Sequence, residues 1–157
     1  MNSEAQTPVA SSRGARPNDR TASTQRKYDL EERLLEFAAA VIDVSEKLPD
    51  TRAGNHLAGQ FLRSGTSPYG NHGEAHAPES AEDFIHKMKI CLKELRESLW
   101  WARLINHKRW LTNDGQLAFV LRESDELMRI FKASIQTAER NRARDRRGNA
   151  SVPSANR

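Results

Sequence analysis

Residues 84–102 read FIHKMKICLKELRESLWWA, and this segment decides the fold class. Its large apolar residues recur every three or four positions, which is the repeat of an amphipathic helix. Ser80 and Asp83 precede the repeat at the spacing of a helix N-cap. The apolar stripe consists of Phe84, Met88, Cys91, Leu92, Leu95, Leu99 and Ala102. The segment therefore predicts a long helix that buries one side against neighbouring elements.

The same repeat defines a helix near the start of the chain. It runs from Leu30 to Leu48, with Asp29 and Glu32 at the spacing of a capping box and Pro49 just beyond its end. Its stripe consists of Leu34, Leu35, Ala38, Val41, Ile42, Ser45 and Leu48. At 1.5 Å per residue this predicts a helix roughly 28 Å long.

The last helix of the pattern opens at Thr112 or Asn113. Its stripe consists of Leu117, Val120, Leu121, Ser124, Leu127, Met128, Phe131, Ile135 and Ala138. No segment shows the alternation of a β-strand, and the connections between helices are short. We therefore predict an all-α fold, an antiparallel up-down four-helix bundle over residues 28–138.

The remaining helix begins near Thr51 or Arg52 and has an unusual composition. Pro68 interrupts it, and it contains five of the eight glycines of the chain: Gly54, Gly59, Gly65, Gly70 and Gly73. Glycine disfavours a helix interior, whereas it allows the backbone to approach a neighbour closely. We expect a kink near Pro68 and close packing of this backbone against its neighbours.

The net charge of +4 is unevenly distributed along the chain. Residues 1–27 hold five Lys/Arg and two acidic residues, and residues 139–157 hold six Arg and two acidic residues, which leaves the middle at −3. Both terminal segments are poor in large apolar residues, so we predict disordered basic tails, the second beginning as an Arg-rich helix end. The basic composition therefore does not by itself indicate a nucleic-acid partner.

Several classes of protein are excluded by composition. The chain has no apolar run approaching the roughly 20 residues of a membrane helix and no secretory signal pattern, so we expect a cytoplasmic protein without a membrane partner. The single cysteine, Cys91, excludes a disulfide framework and a multi-cysteine zinc site. It lies on the apolar stripe, where a buried unreactive thiol is expected.

One stretch carries a more specific signal than periodicity. Arg63-Ser-Gly-Thr-Ser-Pro68 is followed by Asn71, Glu74 and Ala75, and then by DFIHKMKICLKELRE at 83–97. Together with Tyr28-Asp-Leu-Glu31 and Leu48-Pro49, this pattern resembles the 23S rRNA intervening-sequence protein family over residues 28–138. Two features depart from the pattern: His72 replaces an apolar or aromatic residue, and the Arg-rich C-terminal extension is additional.

The resemblance implies a small bacterial cytoplasmic protein that forms an up-down bundle and assembles as a homopentamer. Family members are associated with inserts in the 23S rRNA gene, so rRNA or another nucleic acid is the implied partner. A related bundle, the accessory protein of diversity-generating retroelements, forms similar rings and binds nucleic acid.

One flank of the helix at 84–102 and its continuation collects cations around an aromatic residue. At 100° per residue these positions share one side: Lys89, Lys93, Arg96, Trp100, Arg103 and His107. Such a row could bind phosphates and stack a base. Alternatively, it is a solvated flank paired with acidic residues of a neighbouring helix, or Lys93 and Arg96 bind Glu74.

The far side of the same helix carries Ile90, Trp101 and Leu104, which a monomeric bundle would leave facing water. We therefore predict a subunit interface there, with Glu94 and Glu97 at its rim. The alternative is that neighbouring helices of the same chain cover these residues.

Two further sets of polar residues have a mainly structural interpretation. Arg63, Ser67, Asn71 and Glu74 share a helix face beside Pro68, where their hydrogen bonds could satisfy backbone carbonyls; they could instead line a site. His72 and His76 have the i, i+4 spacing of two metal ligands, which leaves a metal-dependent hydrolase as a third option, but no third ligand is evident. We predict no metal, no cofactor and no small-molecule substrate.

The sequence contains no phosphate-binding glycine loop and no recognisable nucleophile or acid–base arrangement, so we predict a protein that is not an enzyme. The leading hypothesis is an oligomeric four-helix bundle that binds RNA or ribonucleoprotein. The alternative is a protein-interaction scaffold, such as an accessory subunit of a retroelement reverse transcriptase.

Overall fold

The computed structural model describes the backbone of residues 19–150 and the side chains of residues 30–148. Within this range the chain forms four α-helices and no strand: α1 Asp19–Glu46, α2 Arg52–Glu74, α3 Ala81–Lys108 and α4 Gly115–Ala150. The prediction of an all-α protein with four helices is therefore confirmed. The parts of the predicted tails at 1–18 and 151–157 lie outside the described residues.

Each helix packs against two others, in the cyclic order α1, α2, α3, α4. Between α1 and α4, Arg33 contacts Glu123 at 2.6 Å and Lys47 contacts Asp114 at 2.8 Å, so the contacts run in opposite directions along the two helices. The same reversed order holds for the ion pairs between α2 and α3 and between α3 and α4. Sequence neighbours therefore pack side by side along their lengths.

The core is a single cluster to which all four helices contribute, and its α3 and α4 members largely match the predicted stripes. On α1 the prediction is partly wrong. Leu35 and Ile42 are each 44% exposed, whereas Phe37 and Val44 are fully buried. The flank of α1 that carries Phe37 and Val44 turns toward α4, as Arg33 shows by pairing with Glu123. A helix between two neighbours buries a wider arc than a single stripe, and periodicity does not say toward which side it widens.

Two of the predicted helix starts are confirmed and two are wrong. The Thr51 hydroxyl accepts from the Gly54 N–H, and the Ser80 hydroxyl accepts from the Asp83 N–H, at the starts of α2 and α3. At the start of α4 the cap is Asp114, whose carboxylate accepts from the Leu117 N–H at 2.8 Å. Asp29 is not a cap, because it lies inside α1.

Helices α1 and α4 extend beyond the expected bundle limits. Residues 19–27, predicted to be part of a disordered tail, are helical here, and the Arg-rich helix end predicted from residue 139 continues as helix to residue 150. In the C-terminal extension, Arg142 and Arg146 contact the Glu82 carboxylate at 3.5 and 3.0 Å. These contacts attach the extension to the first turn of α3, which explains how an Arg-rich segment continues as regular helix.

Helix α2 continues through Pro68 without interruption, and the kink stays a prediction. Its close approach to α1 depends on Gly65, where an added Cβ would meet the Val41 side chain at 2.5 Å. By contrast, a Cβ at Gly59, Gly70 or Gly73 would meet nothing within 4 Å. Packing therefore requires glycine at Gly65 and leaves these other three positions unconstrained.

We expect Gly65→Ala to destabilise the chain by about 1–3 kcal/mol, because the stiff Val41 side chain cannot move away without disturbing the core. Gly70→Ala is the matched control, and it should stabilise by up to about 1 kcal/mol through helix propensity alone. Urea unfolding followed by circular dichroism measures both. Equal effects of the two substitutions would contradict the close α1–α2 approach.

Candidate nucleic-acid interface

An open groove runs along the outer side of the C-terminal half of α3. Its volume is about 780 Å³, and its lining consists of Lys93, Arg96, Glu97, Trp100, Trp101, Arg103, Leu104 and His107. The groove therefore contains all of the predicted cationic flank except Lys89, together with Trp101 and Leu104 of the predicted subunit interface. Two faces that the helical wheel separates thus form one surface.

Trp100 is the most accessible large apolar side chain in the groove, at 62% exposed. The guanidinium carbon of Arg103 lies 5.3 Å from the centre of its ring, within cation–π distance. The side chains of Lys93 and Arg96 are also exposed. An aromatic face is therefore available to a ligand, with permanent positive charges around it.

Trp101 forms the wall of the groove on the side of α2. It is half-buried, and its indole N–H donates to the Glu97 carboxylate at 3.3 Å. Its ring contacts the His56 ring edge-on, with 6.4 Å between the ring centres. Ile90 is also half-buried and lies outside the groove. Of the three residues of the predicted interface, Leu104 is the exposed one, with 40% of its surface accessible. The expectation that all three face water is therefore wrong for Ile90 and Trp101, because neighbouring parts of the same chain cover them.

The groove wall is held to α2 by an ion-pair cluster. Arg63 donates to Glu94 at 3.2 Å and to Glu97. Glu94 is buried, so these carboxylates bind within the chain rather than at an interface rim. Burial raises the pKa of Glu97, but hydrogen bonds from Trp101 and Arg63 outweigh it, so the pKa lies below its ordinary value. The same pairing, chiefly with Glu97, raises the pKa of Arg63.

The other members of the polar motif on α2 make local contacts. The Asn71 amide donates to the Ser67 carbonyl and hydroxyl, each at 3.0 Å. Glu74 pairs with Lys87 at 2.7 Å, and not with Lys93 or Arg96 as one alternative proposed. The motif therefore stabilises α2 and its packing on α3, and its residues do not line the groove.

Lys89, the first residue of the predicted flank, is exposed but pairs with Glu139 of α4 at 2.7 Å. The hydrogen bond from Lys89 lowers the pKa of Glu139 below its ordinary value. For this residue the alternative of pairing with a neighbouring helix describes the structure. Within the predicted flank, the exposed Lys and Arg side chains with no ion pair among the described contacts are therefore Lys93, Arg96 and Arg103, which line the groove.

The histidine pair and the cysteine lie away from the groove. His72 is buried and meets His76 edge-on at 4.5 Å and Phe131 at 5.9 Å. Among the described residues no group of three or more side chains could hold a metal ion. Cys91 is fully buried, with its sulfur 3.5 Å from the Pro68 carbonyl, and burial raises the pKa of the thiol to about 12.

Sequence reasoning missed the role of two residues. His56 supports Trp101 from α2, and Glu97 serves as a groove wall anchored by Arg63. No local signal marks His56, because its contact depends on the register between α2 and α3. The pairing of Arg63 with Glu97 is likewise a contact across 34 positions of the chain.

The fold and groove together define a small all-helical bundle protein with a cationic, partly aromatic surface groove. Within residues 19–150 no helix has the length and apolar character needed to cross a bilayer. The family model described as 23S rRNA-intervening sequence protein matches residues 26–133. The chain belongs to this family.

Among solved structures four chains match. One is the crystal structure of a protein with unknown function from the S23 ribosomal protein family of Bacteroides thetaiotaomicron VPI-5482. It is 30% identical, with a TM-score of 0.61, and the match covers 68% of this chain and 97% of that one. A comparison with curated proteins finds no match.

We expect Arg63→Ala to lower the urea midpoint several-fold more than Arg129→Ala does, because it leaves the buried Glu94 without its partner. Arg129 pairs with Glu126 on the exposed side of α4, where an ion pair contributes little. Equal midpoints for the two variants would contradict the anchoring role of Arg63.

The pH dependence gives a second measurement on the same variant. Hydrogen bonds from Trp101 and then Arg63 outweigh burial and hold the pKa of Glu97 below its ordinary value of 4.5. The stability that the Arg63–Glu97 pairing contributes is therefore present above that pH and is lost as the pH falls below it. The difference in stability between the unsubstituted chain and Arg63→Ala should therefore shrink below about pH 4.5. A difference that grows in acid would contradict this assignment.

Proposed function

We propose that the chain is a non-enzymatic RNA-binding protein that holds single-stranded RNA in the α3 groove. The observation that carries the proposal is the 62% exposure of Trp100 in a groove with Lys93, Arg96 and Arg103. Proteins that bind single strands combine a positively charged groove with aromatic rings on which bases stack. Both parts are present on one surface.

The charged and the aromatic side chains of the groove are proposed to bind different parts of a nucleotide. Lys93, Arg96 and Arg103 are oriented around an open concavity, where they can neutralise phosphates. Trp100 offers a ring face to a base, and Leu104 adds apolar contact beside it. None of these groups reads the hydrogen-bonding edge of a base in a fixed way, so we propose binding with little sequence preference.

The family relationship supports an RNA partner, since the family is described by its link to 23S rRNA intervening sequences. In this proposal the setting is the bacterial cytoplasm and the partner is rRNA or a ribonucleoprotein. The absence of a catalytic role is part of the proposal, and the burial and raised pKa of Cys91 support it by removing the one thiol as a nucleophile.

Trp100→Ala should weaken binding of a single-stranded oligonucleotide by about tenfold or more, because base stacking on an aromatic ring contributes about 1–3 kcal/mol. Trp110→Ala is the matched control: Trp110 also has a lysine over its ring, but it is half-buried and outside the groove. Fluorescence anisotropy of a labelled oligonucleotide measures both affinities. Equal losses for the two variants would place the RNA elsewhere.

We also propose that the chain self-associates, and the homopentamer implied by the family resemblance is the expected form. Exposed large apolar residues support this part of the proposal. Besides Leu104, two pairs repeat every seven residues and so form short stripes on α1 and α2: Leu35 with Ile42, and Leu62 with Tyr69. A protein surface of this kind favours contact with another chain.

Substitution of two leucines of similar exposure tests which helix forms the contact between subunits. Leu104→Glu tests the predicted interface on α3, and Leu35→Glu tests the stripe on α1; the residues are 40% and 44% exposed. Light scattering coupled to size-exclusion chromatography should give an oligomer for the unsubstituted chain, a smaller mass for Leu35→Glu and an unchanged mass for Leu104→Glu, because Leu104 lines the groove proposed for RNA. The reverse pattern would move the interface to α3, and a monomeric unsubstituted chain would contradict self-association.

A further inference from the structure

Helix α4 carries a basic stripe on the side away from the core, which we call the outer stripe. It consists of Arg122, Arg129, Lys132, Arg140 and Arg144, all of them exposed. At 100° per residue they fall within an arc of about 120°. The 22 intervals from first to last correspond to about 33 Å of helix. The stripe therefore presents a straight row of positive charge along most of α4.

The C-terminal arginine run divides into two faces. Arg142 and Arg146 point to α3 and bind Glu82. Arg140 and Arg144, two positions away in each case, lie on the opposite side of the helix and are exposed. The first pair contacts the first turn of α3, and the second pair faces outward from the same helix. Both pairs lie beyond residue 133, where the family match ends.

Acidic residues compensate little of the positive charge in the C-terminal half of the outer stripe, since residues 132–148 hold Glu139 and Asp145 against six Lys and Arg. Glu126 pairs with Arg129 near the N-terminal end, and Asp125 is half-buried beside it. Glu139 is occupied by Lys89 of α3. From Lys132 to Arg144 the outward positive charge therefore has no acidic side chain bonded to it among the described contacts.

The outer stripe begins level with the groove. The contact between Lys89 and Glu139 sets the register of α3 against α4. Trp100 lies 11 positions from Lys89, about 16 Å along α3, so the reversed order of the two helices brings it level with residue 128 or so of α4. Arg129 is therefore near the height of Trp100, and Arg144 lies about 22 Å further along α4.

The chemistry of the outer stripe suits the backbone of a nucleic-acid duplex. It has no aromatic ring for an unpaired base, but it offers charge at helical spacing to a rigid line of phosphates. An anionic membrane is a poorer match, because a membrane-surface helix inserts an apolar face and that of α4 is buried in the core. A duplex is recognised mainly through shape and backbone contacts, which such a row supplies.

We propose that the outer stripe binds the paired stem of an RNA whose adjacent unpaired nucleotides occupy the α3 groove. This inference rests on the proposed function of the groove and specifies its ligand as a stem with a neighbouring single-stranded segment. Contacts along the stripe are independent of sequence, so the stem contributes affinity and orientation. The groove contributes selectivity for unpaired nucleotides.

The test compares two RNA probes and two charge-reversed variants of the full chain. The probes are a blunt duplex of about 16 base pairs, the length that a double-stranded RNA-binding domain spans, and a single strand of about eight nucleotides. The first variant is Arg140→Glu/Arg144→Glu. The control is Arg52→Glu/Lys108→Glu, which makes the same charge change at exposed positions outside the outer stripe. Circular dichroism and light scattering verify fold and mass.

The stripe variant should bind the duplex at least about tenfold more weakly than the control and reduce the salt slope by about 2, because two phosphate contacts are lost. Its affinity for the single strand should match that of the control. Equal duplex affinities of the two variants, or an equal loss for both probes, would overturn the inference. A change of oligomeric mass, or loss of binding to anionic vesicles with duplex binding unchanged, would also overturn it.

The two proposals fail in different ways. If the unsubstituted chain binds the single strand and not the duplex, the outer stripe is not a stem site and the proposed function of the groove stands. If Trp100→Ala leaves single-strand affinity unchanged while the stripe variant loses the duplex, the groove is not the single-strand site and the stripe alone binds RNA. Absence of binding to either probe overturns both.

Discussion

The buried carboxylate of Glu94 is the constraint on which the arrangement of α2 and α3 depends. A charge removed from water needs a partner, and Arg63 of α2 supplies it while also binding Glu97. This double contact sets the height of α2 against α3. Glu97 in turn accepts from Trp101, so the pairing also determines the position of the groove wall. A requirement of the interior thereby shapes the surface on which the proposed binding occurs.

The close approach of α1 and α2 at Gly65 acts with that pairing. Because Val41 occupies the space that a side chain would need, α2 lies against α1 on one side and is fixed to α3 on the other. The inner faces of the bundle are thus occupied by packing and ion pairs. Lys93, Arg96, Arg140 and Arg144 are exposed and take part in none of the ion pairs between helices, and in our proposals these are the residues that bind RNA.

Much of the fold was predictable from the sequence, whereas the shape of the site was not. The stripes at 84–102 and 117–138 identified most of the core, and the caps at Thr51 and Ser80 followed from local hydrogen bonding. The α1 stripe was partly wrong because burial there depends on which neighbour lies beside each flank. Most of the predicted flank and two of the three predicted interface residues of α3 line one groove, since the Trp101 indole donates to Glu97 and its ring contacts that of His56.

By itself the sequence determined four helices, their order, two of their four starts and the family, because these follow from local periodicity and local hydrogen bonds. Only the tertiary structure decided which charged side chains form ion pairs within the chain and which face outward. Eleven basic residues had been assigned to the tails by composition, yet Arg142 and Arg146 bind Glu82 while Arg140 and Arg144 face outward. Ion pairs join residues far apart in the chain, so their partners depend on the register of packed helices, which no local pattern encodes.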